Sequence, residues 1–505
     1  MSEAYQRSNA MNPTLPATRR NTAPPRHRAT TGLLKPAIAL SVAMMMSACA
    51  VGPDYRAPDV RLRPFHSAAA IGARHATAAP SLDAWWEGFH DPELVRIEQR
   101  VLIQNLDLAA AMARVRQAQG AAEAATARLL PTLDFAPQAS ANRLSQEGLI
   151  GHVVRTVPGF HRDYRTYDVS GAASWEIDLF GGLRRGQEAA RDEEEAAQVE
   201  RVGERITVAA DAADAYFQIR GDQARLAVAE QQITVDAHLL DLVRQRRTRG
   251  ISNERELAQA EALLQSARQT VPLIRIALEA QLNRLDVLMG AQPGSYAAEL
   301  GRPSDIPAVP SIGGSDKPTD MLRRRPDILA AERRLAASNA RIGEALGDYY
   351  PKLSLTGILG FQSLSPNKLF TAPGFQATGS GAIRWRIFDF GKIDAEVQQA
   401  RGANAEALAR YRLTVLHAAE DVENAFTTLV QTEQRTGDLQ TEVASLTRAR
   451  DLSQQSFQAG VIPLTDVLDA DRQLLDSQDQ LALNRANAAR AAVSSFRALG
   501  GGWPT

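Results

Sequence analysis

The sequence contains one nine-residue pattern twice, at a fixed separation. SWEIDLFGG occupies residues 174–182 and RWRIFDFGK occupies residues 384–392, so Trp175 and Trp385 are 210 positions apart. Glycines further along keep the same spacing, in the pairs Gly181 and Gly391, Gly250 and Gly460, and Gly290 and Gly500. Self-similarity at a fixed period predicts an internal duplication.

One pair of landmarks departs from this spacing. Pro131 and Pro351 are 220 positions apart, which is ten more than the other pairs. The first copy therefore carries ten additional residues, which we place at about residues 148–165.

Each copy contains two stretches with the alternation of a half-buried strand. The sequence predicts a helix from an N-cap at Asp91 to about Leu130, which Pro131 ends. Apolar and polar residues then alternate with a period of two, first in the segments 132–142 and 167–179, and in the second copy in 352–362 and 375–387. Segments of about 10 residues or more can cross a bilayer as tilted strands.

Very long helices follow the strands in each copy. Residues 183–249 contain no proline and can form one helix of about 100 Å at about 1.5 Å per residue. A second helix is predicted at 253–289, and the second copy repeats both helices at 391–460 and 464–499. Four strands per chain are too few for a closed barrel, which needs about eight, so membrane strands would have to be shared by several chains.

The beginning of the chain resembles a secretory signal. Basic residues precede an apolar run at 37–46, and the small residues Ser47 and Ala48 precede Cys49, the only cysteine. This order resembles a bacterial lipobox, which implies a signal peptide at 1–48 and a covalent lipid on Cys49. A signal peptide with an incidental buried cysteine is the alternative. Ala50 in place of aspartate indicates the outer membrane.

Charge and motifs argue against other classes of function. The net charge of −1 provides no basic surface for nucleic acid. No Walker motif occurs, and the histidines lack metal-ligand spacing, so the sequence predicts neither an enzyme nor a cofactor other than the lipid.

Several longer stretches resemble a known family. They are CAVGPDY at 49–55, DPELVRIEQRVLIQNLDLAAAMARVRQAQ at 91–119, WEIDLFG at 175–181, RRPDILAAERRLAASNARIGEA at 324–345 and LTDVLDADRQLL at 464–475. Together they resemble the outer-membrane efflux channels of the TolC and OprM type, in the NodT-like lipoprotein branch.

The resemblance implies a mixed, mostly α-helical fold and a homotrimer. Three chains would form a twelve-stranded barrel in the outer membrane and a twelve-helix tunnel that extends into the periplasm. The channel would be a passive exit duct for small molecules such as drugs. Its partners would be a periplasmic adaptor, an inner-membrane pump that supplies the energy, and the lipid bilayer.

The resemblance also assigns domains and sites. Asp466 and Asp469 match acidic residues that ring the closed periplasmic aperture; the alternative is that they are solvated residues of the helix, with Asp466 near its first turn. Phe457 falls where some members carry a tyrosine that bonds across the aperture. Trp175 and Trp385 are interpreted as aromatic residues at the membrane interface. The arginines at 323–325 are interpreted as a solvated surface. The predicted domains are a signal peptide (1–48), an N-terminal extended or equatorial segment (49–90), a first repeat (91–290), a linker (291–318), a second repeat (319–500) and a C-terminal tail (501–505).

Other functional classes fit less well. A periplasmic adaptor lipoprotein, the main alternative, predicts a single helical hairpin with lipoyl-like β-segments, whereas this sequence predicts two hairpins. A secreted enzyme would need a catalytic constellation, and the sequence offers no candidate for one.

Overall fold

The computed structural model of the chain describes residues 50–59, 62–73, 80–154, 157–159, 161–312 and 324–503. The described residues belong to one compact unit. The predicted signal peptide and Cys49 lie outside these residues, as do Arg323 and part of the predicted linker.

α-Helices, several of them long, and one small sheet make up most of the described part of the chain. The helices are α1 (Ala68–Gly72), α2 (Pro92–Gln104), α3 (Leu106–Ala127), α4 (Leu149–Val154), α5 (Gly182–Thr248), α6 (Glu254–Leu288), α7 (Ala297–Leu300), α8 (Pro326–Gly347), α9 (Lys392–Gln458) and α10 (Leu464–Ala498). The strands are β1 (Thr132–Arg143), β2 (Asp163–Ile177), β3 (Lys352–Ser363) and β4 (Phe375–Arg384). Within the described ranges, no helix has both the length and the apolar character needed to cross a membrane.

The lengths and positions of the elements confirm the predicted duplication. Helices α5 and α9 each contain 67 residues, α6 and α10 each contain 35, and both pairs begin 210 residues apart. Helices α3 and α8, of 22 residues each, and strands β1 and β3, of 12 residues each, begin 220 residues apart. The connection between β1 and β2 is eight residues longer than the connection between β3 and β4, and β2 begins two residues before the position equivalent to the start of β4, which together account for the ten additional residues.

The predicted first helix is divided in two, which corrects the prediction of one helix from Asp91 to about Leu130. Asp91 caps α2 as predicted, but α2 ends before Asn105, whose backbone is extended at φ −62° and ψ 133°. The Asn105 side chain accepts a hydrogen bond from the Asp107 N–H, and its Nδ2 donates to the Leu288 carbonyl over 2.9 Å. Because Asn105 both caps α3 and bonds to the end of α6, its side chain stabilises the break between α2 and α3.

A glycine in the left-handed region begins each of the longest helices. Gly181 has φ 83° and Gly391 has φ 84°, a conformation that residues with a Cβ adopt at a cost. Each glycine allows the chain to turn from the strand region into a helix of about 100 Å, as predicted. Strand β4 ends at Arg384, three residues before the predicted end at Ile387.

The sheet has the order β1-β2-β3-β4, and all its pairs are antiparallel. Thr132 lies opposite Ser174 in the first hairpin, and Lys352 lies opposite Arg384 in the second. Lys352 is 220 residues after Thr132, and Arg384 is 210 residues after Ser174, so the two hairpins pair equivalent residues and have the same register. Strands β2 and β3 join the two copies, whereas β1 and β4 each have one neighbouring strand among the described residues.

Helix α5 is the centre of the helical part. It packs against α3, α6, α8 and α10, and α9 packs against α8 and α10. Near the sheet, the helices therefore pack side by side in the order α3, α5, α8, α9. Toward the other end, they pack in the order α6, α5, α10, α9. Between these two levels lies an aromatic core in which buried Trp85 stacks on Phe496 with 5.4 Å between ring centroids.

Arg325 is buried, so the interpretation of this arginine as solvated is wrong. Its guanidinium donates to the Ala498 carbonyl over 3.0 Å and to Asp421 over 2.9 Å. A buried guanidinium is tolerated when its donors are paired in this way. Arg325 occupies the position equivalent to Asn105, and both side chains bond to the last turn of the helix that ends their copy.

Candidate functional site

The sheet has one polar face and one apolar face. Residues opposite each other have the same parity in all three ladders, so even-numbered residues share one face and odd-numbered residues share the other. The even face is largely polar, with Thr132, Gln138, Ser140, Asp168, Ser174, Glu176, Thr356, Gln362, Gln376 and Ser380. The odd face is largely apolar, with Leu133, Phe135, Val169, Leu355, Leu359, Phe361 and Ile383. In the single chain Phe135 is 71% exposed and Ile383 is 73% exposed, which is typical of a face that contacts lipid.

Hydrogen bonds connect side chains across the polar face. The Asp168 carboxylate accepts from Gln362 over 3.1 Å and from Gln376 over 2.9 Å, which joins β2 of the first copy to β3 and β4 of the second. The hydroxyls of Thr132 and Ser174 bond to each other over 2.8 Å at the helical end of the sheet. Such pairs stabilise the register of the strands.

The two predicted interface tryptophans lie at the helical end of the sheet on its apolar face. Trp175 is near the end of β2, and Trp385 directly follows β4. Both rings are exposed, and each indole nitrogen donates over 2.9 Å to a backbone carbonyl, that of Leu129 for Trp175 and that of Tyr349 for Trp385.

The segment that follows Cys49 is fixed at the same level. The Val51 N–H donates to the Phe180 carbonyl over 2.9 Å, and the buried Arg185 donates to Val51 O over 3.1 Å and to Asp54 over 2.7 Å. The hydrogen bond from Arg185 lowers the pKa of Asp54. A Cβ on Gly181 would lie 2.8 Å from the Ala50 Cα, so the segment follows the beginning of α5 in close contact.

The helices near the sheet form a concave wall with ion pairs on it. The wall, made by α3, α5, α8, α9 and the end of α10, lines an open cavity of about 1260 Å³. Arg341 of α8 pairs with Glu193 of α5 over 2.8 Å, and Arg334 pairs with Glu200. The wall is therefore a polar, charged surface, as the even face of the sheet is.

At the opposite end, two turns form the tips of the helical hairpins. Hairpin 1 consists of α5 and α6, and hairpin 2 consists of α9 and α10. Asp466 and Asp469 lie on the first turns of α10 and are both exposed, and Asp469 pairs with Arg472 over 3.2 Å. The two predicted gate carboxylates thus share one accessible surface.

Phe457 lies apart from that surface and is only 3% exposed. It belongs to an apolar cluster between the hairpins, which we call the tip cluster: Leu239, Leu240, Val243, Leu257, Ala260, Leu264, Phe457, Leu464 and Val467. The guanidinium of Arg246 lies 4.5 Å from the centre of the Phe457 ring and donates to the Phe457 carbonyl over 2.9 Å. Arg246 was missed from the sequence, although residues 244–255 contain five arginines and the equivalent residues 454–465 contain no charged residue.

Comparison with known proteins identifies this architecture. The family model described as outer membrane efflux protein matches residues 98–291 and 318–501, and so covers both copies. The chain belongs to this family. Because the match includes both hairpins, the alternative of a periplasmic adaptor, with its single hairpin, is set aside.

Relatives of this outer membrane efflux protein extend over most of its length. The pyoverdine export outer membrane protein OpmQ of Pseudomonas putida is 32% identical over 431 residues, which cover 85% of this chain and 90% of the relative. The toluene efflux pump outer membrane protein TtgI of Pseudomonas putida is 29% identical over 466 residues, which cover 91% and 97%. The solved structure of the outer-membrane channel OprN is 30% identical, with a TM-score of 0.83, covering 90% of this chain and 100% of that chain. The predicted fold, efflux-channel function and location in the outer membrane are confirmed.

Proposed function

We propose that three copies of this outer membrane efflux protein form one channel, a passive exit duct for small molecules. The observation that supports this is the four-stranded sheet with an apolar face, whose edge strands β1 and β4 have no second neighbour in the described part of the chain. Open strand edges are not tolerated in lipid. Three copies of four strands give twelve strands, enough for a closed barrel with a lumen.

The duplication supplies the register of the contact between copies. The pairing of β2 with β3 joins the two halves of one chain, and Val169 there lies opposite Phe361. Moving β2 by 210 residues gives β4, and moving β3 back by 220 gives β1. The equivalent contact pairs Gly379 with Ala141 of the neighbouring copy, and it keeps even residues opposite even residues. The polar and apolar faces therefore continue across the contact.

The same shifts, applied to the contact between α5 and α8, pair two exposed leucines of neighbouring copies. Gly203 of α5 lies beside Pro326 of α8, since a Cβ on the glycine would be 3.5 Å from the proline Cβ. The equivalent positions are Leu413 of α9 and Leu106 of α3, which are 52% and 71% exposed in the single chain. Contact between copies would bury both side chains, at about 25 cal/mol per Å² of apolar surface.

The function of the channel depends on partners that the family resemblance implies. A periplasmic adaptor and an inner-membrane pump would deliver the cargo, and the pump would supply the energy. Relatives carry names that refer to pyoverdine, toluene and antibiotics, which favours a duct for small molecules of varied chemistry.

Lipidation of Cys49 fits the position of the residues that follow it. Ala50 lies against Gly181, four residues after the end of β2. A lipid on Cys49 would then be close to the helical end of the sheet, at the level of Trp175 and Trp385, and could enter the adjacent membrane leaflet. Aromatic residues at this level suit the membrane interface.

Asp466, Asp469 and Phe457 are proposed as the periplasmic gate. Three copies of the two exposed carboxylates would form rings that favour cations and oppose anions. Phe457 has no hydroxyl to bond across an aperture, and we propose that it contributes by packing in the tip cluster under Arg246.

Reconstitution of the purified chain in a planar bilayer tests this function. We expect an SDS-resistant trimer that dissociates on heating and gives discrete single-channel conductance steps. A monomer that gives no conductance and fractionates with the inner membrane would contradict the proposal.

A further inference from the structure

Two carboxylic acids are buried where the hairpins meet near their tips. Asp236 of α5 is 1% exposed and Asp471 of α10 is 2% exposed. One oxygen of each, Asp236 Oδ2 and Asp471 Oδ1, has no hydrogen-bond partner among the described residues. Burial of a charge without full hydrogen bonding is costly, so ionisation at this position opposes the packing of α5 on α10.

The surroundings of the pair are mostly apolar. On the side toward the tip, Asp236 precedes Leu240 of the tip cluster by one turn of α5, and Asp471 follows Val467 of the tip cluster by one turn of α10. On the other side of Asp236, Ala229 packs with Val271 and Ile274 of α6. The apolar contacts on both sides restrict the access of water to the carboxyl groups.

Few charged groups face the two acids. From α9, Arg450 lies 3.7 Å from Asp471 Oδ1 and also pairs with Asp451 over 2.8 Å. Asp236 accepts a hydrogen bond from Gln232 on its own helix over 2.8 Å. Within the described ranges, no ion pair connects Asp236 with a charged residue of α6.

Burial raises the pKa of both acids. At Asp471 the charge of Arg450 acts in the opposite direction, but the pKa remains raised. Burial raises the pKa of Asp236 to about 6, where the hydrogen bond from Gln232 lowers it and the charge of Asp471 raises it further. The titrations of the two acids are therefore coupled.

We propose that a proton on Asp236 locks hairpin 1 to hairpin 2 at the tip, and that its release loosens the two hairpins. The link between this lock and passage through the channel rests on the proposed function. In the separated hairpins Asp236 would ionise near its ordinary value of 3.8. The stabilisation is therefore complete below about pH 4 and decreases as the pH rises toward about 6, by up to about tenfold in the packing equilibrium per pH unit.

Hydrogen exchange of the purified full-length protein tests the lock. Mass spectrometry would follow amides of residues 236–248 and 464–475 at pH 4.5 and 7.5, corrected for intrinsic exchange rates. We expect opening about tenfold or more frequent at pH 7.5 in the native protein. Asp236→Asn, which resembles the protonated acid, should show the low-pH protection at both values.

Two further variants complete the test. Asp241→Asn replaces an exposed acid of the same helix and should retain the native pH response. Asp471→Asn removes the charge beside Asp236 and should move the transition to lower pH. Equal protection of the native protein at both pH values, or a native response in Asp236→Asn, would overturn the proposal. Exchange requires only the folded chain, so this result is independent of whether conductance is observed.

Discussion

The indole nitrogen of Trp385 lies 2.9 Å from the carbonyl oxygen of Tyr349, and Trp175 makes the same bond to Leu129 in the other copy. Each acceptor is two positions before the proline that precedes β1 or β3. The bond connects the end of one strand of a hairpin to the chain entering the other. It fixes the polar edge of the indole while the ring remains on the apolar face, as an interfacial tryptophan requires.

Replacing these tryptophans with phenylalanine separates the hydrogen bond from the apolar ring. Trp175→Phe or Trp385→Phe should each destabilise the trimer by about 1 kcal/mol, since each leaves one carbonyl without its donor. The measurement is the temperature at which the SDS-resistant trimer dissociates. We expect the double variant to show roughly the sum of the single effects, and native transition temperatures in all three would contradict this account.

The regular parts of the fold could be predicted from the sequence because they depend on local periodicity. Alternation with a period of two defined the faces of the strands, and the absence of proline defined the two long helices. The break at Asn105 could not be predicted in this way, because its stabilising bond goes to Leu288, which is 183 positions away.

The burial of charged side chains also could not be predicted from local sequence patterns. Arg325 is satisfied by Asp421 and by the Ala498 carbonyl, which come from α9 and α10. At the tip, Arg246 meets Phe457, which is 211 positions away. Such pairs follow from the packing of distant helices, and a run of arginines is by itself equally consistent with a solvated turn.

A cysteine pair tests the proposed register between copies. Gly379→Cys combined with Ala141→Cys should give a covalent trimer under non-reducing conditions, because residues directly opposite have Cβ atoms about 4.5–5.5 Å apart. A Cβ at Gly379 meets no atom of the described residues within 4 Å, so these residues leave room for the substitution. The measurement is the trimer fraction on a non-reducing gel, compared with the same sample after reduction.

The control for this pair is Gly379→Cys with Ala139→Cys. Its residues are diagonal in the proposed register, at about 7–8 Å, and should remain uncrosslinked. Crosslinking of the control alone would show a register shifted by two residues and would contradict the proposal.

Removing the tip carboxylates tests the gate. Asp466→Ala with Asp469→Ala should increase single-channel conductance and weaken block by a trivalent cation about tenfold, since the negative rings that attract the cation are lost. Asp476→Ala is the matched control, because Asp476 is an exposed acid further along the same helix. Unchanged conductance and block in the double variant would leave the two acids as surface residues of α10.

The segment after Cys49 can be released without changing the cysteine. Arg185→Ala removes the hydrogen bonds to Val51 and Asp54, so residues 50–55 should become sensitive to protease while labelled fatty acid is still incorporated. Arg184→Ala, next to it on α5, should leave the segment protected. Cys49→Ala should abolish the label, and incorporation into that variant would refute lipidation at this residue.

The contact of Arg246 with Phe457 should hold the two hairpins together at the tip. Cation–π attraction contributes about 0.5–2 kcal/mol and the hydrogen bond to the carbonyl about 1 kcal/mol, so Arg246→Ala should increase the open probability of the reconstituted channel about tenfold. Arg246→Lys keeps the charge but loses the planar fork, and an intermediate effect is expected. Arg244→Ala serves as the control, because Arg244 is exposed and pairs with Glu261 within hairpin 1. If the Arg244 and Arg246 variants open equally, the loss of positive charge at the tip, and not the contact with Phe457, governs opening.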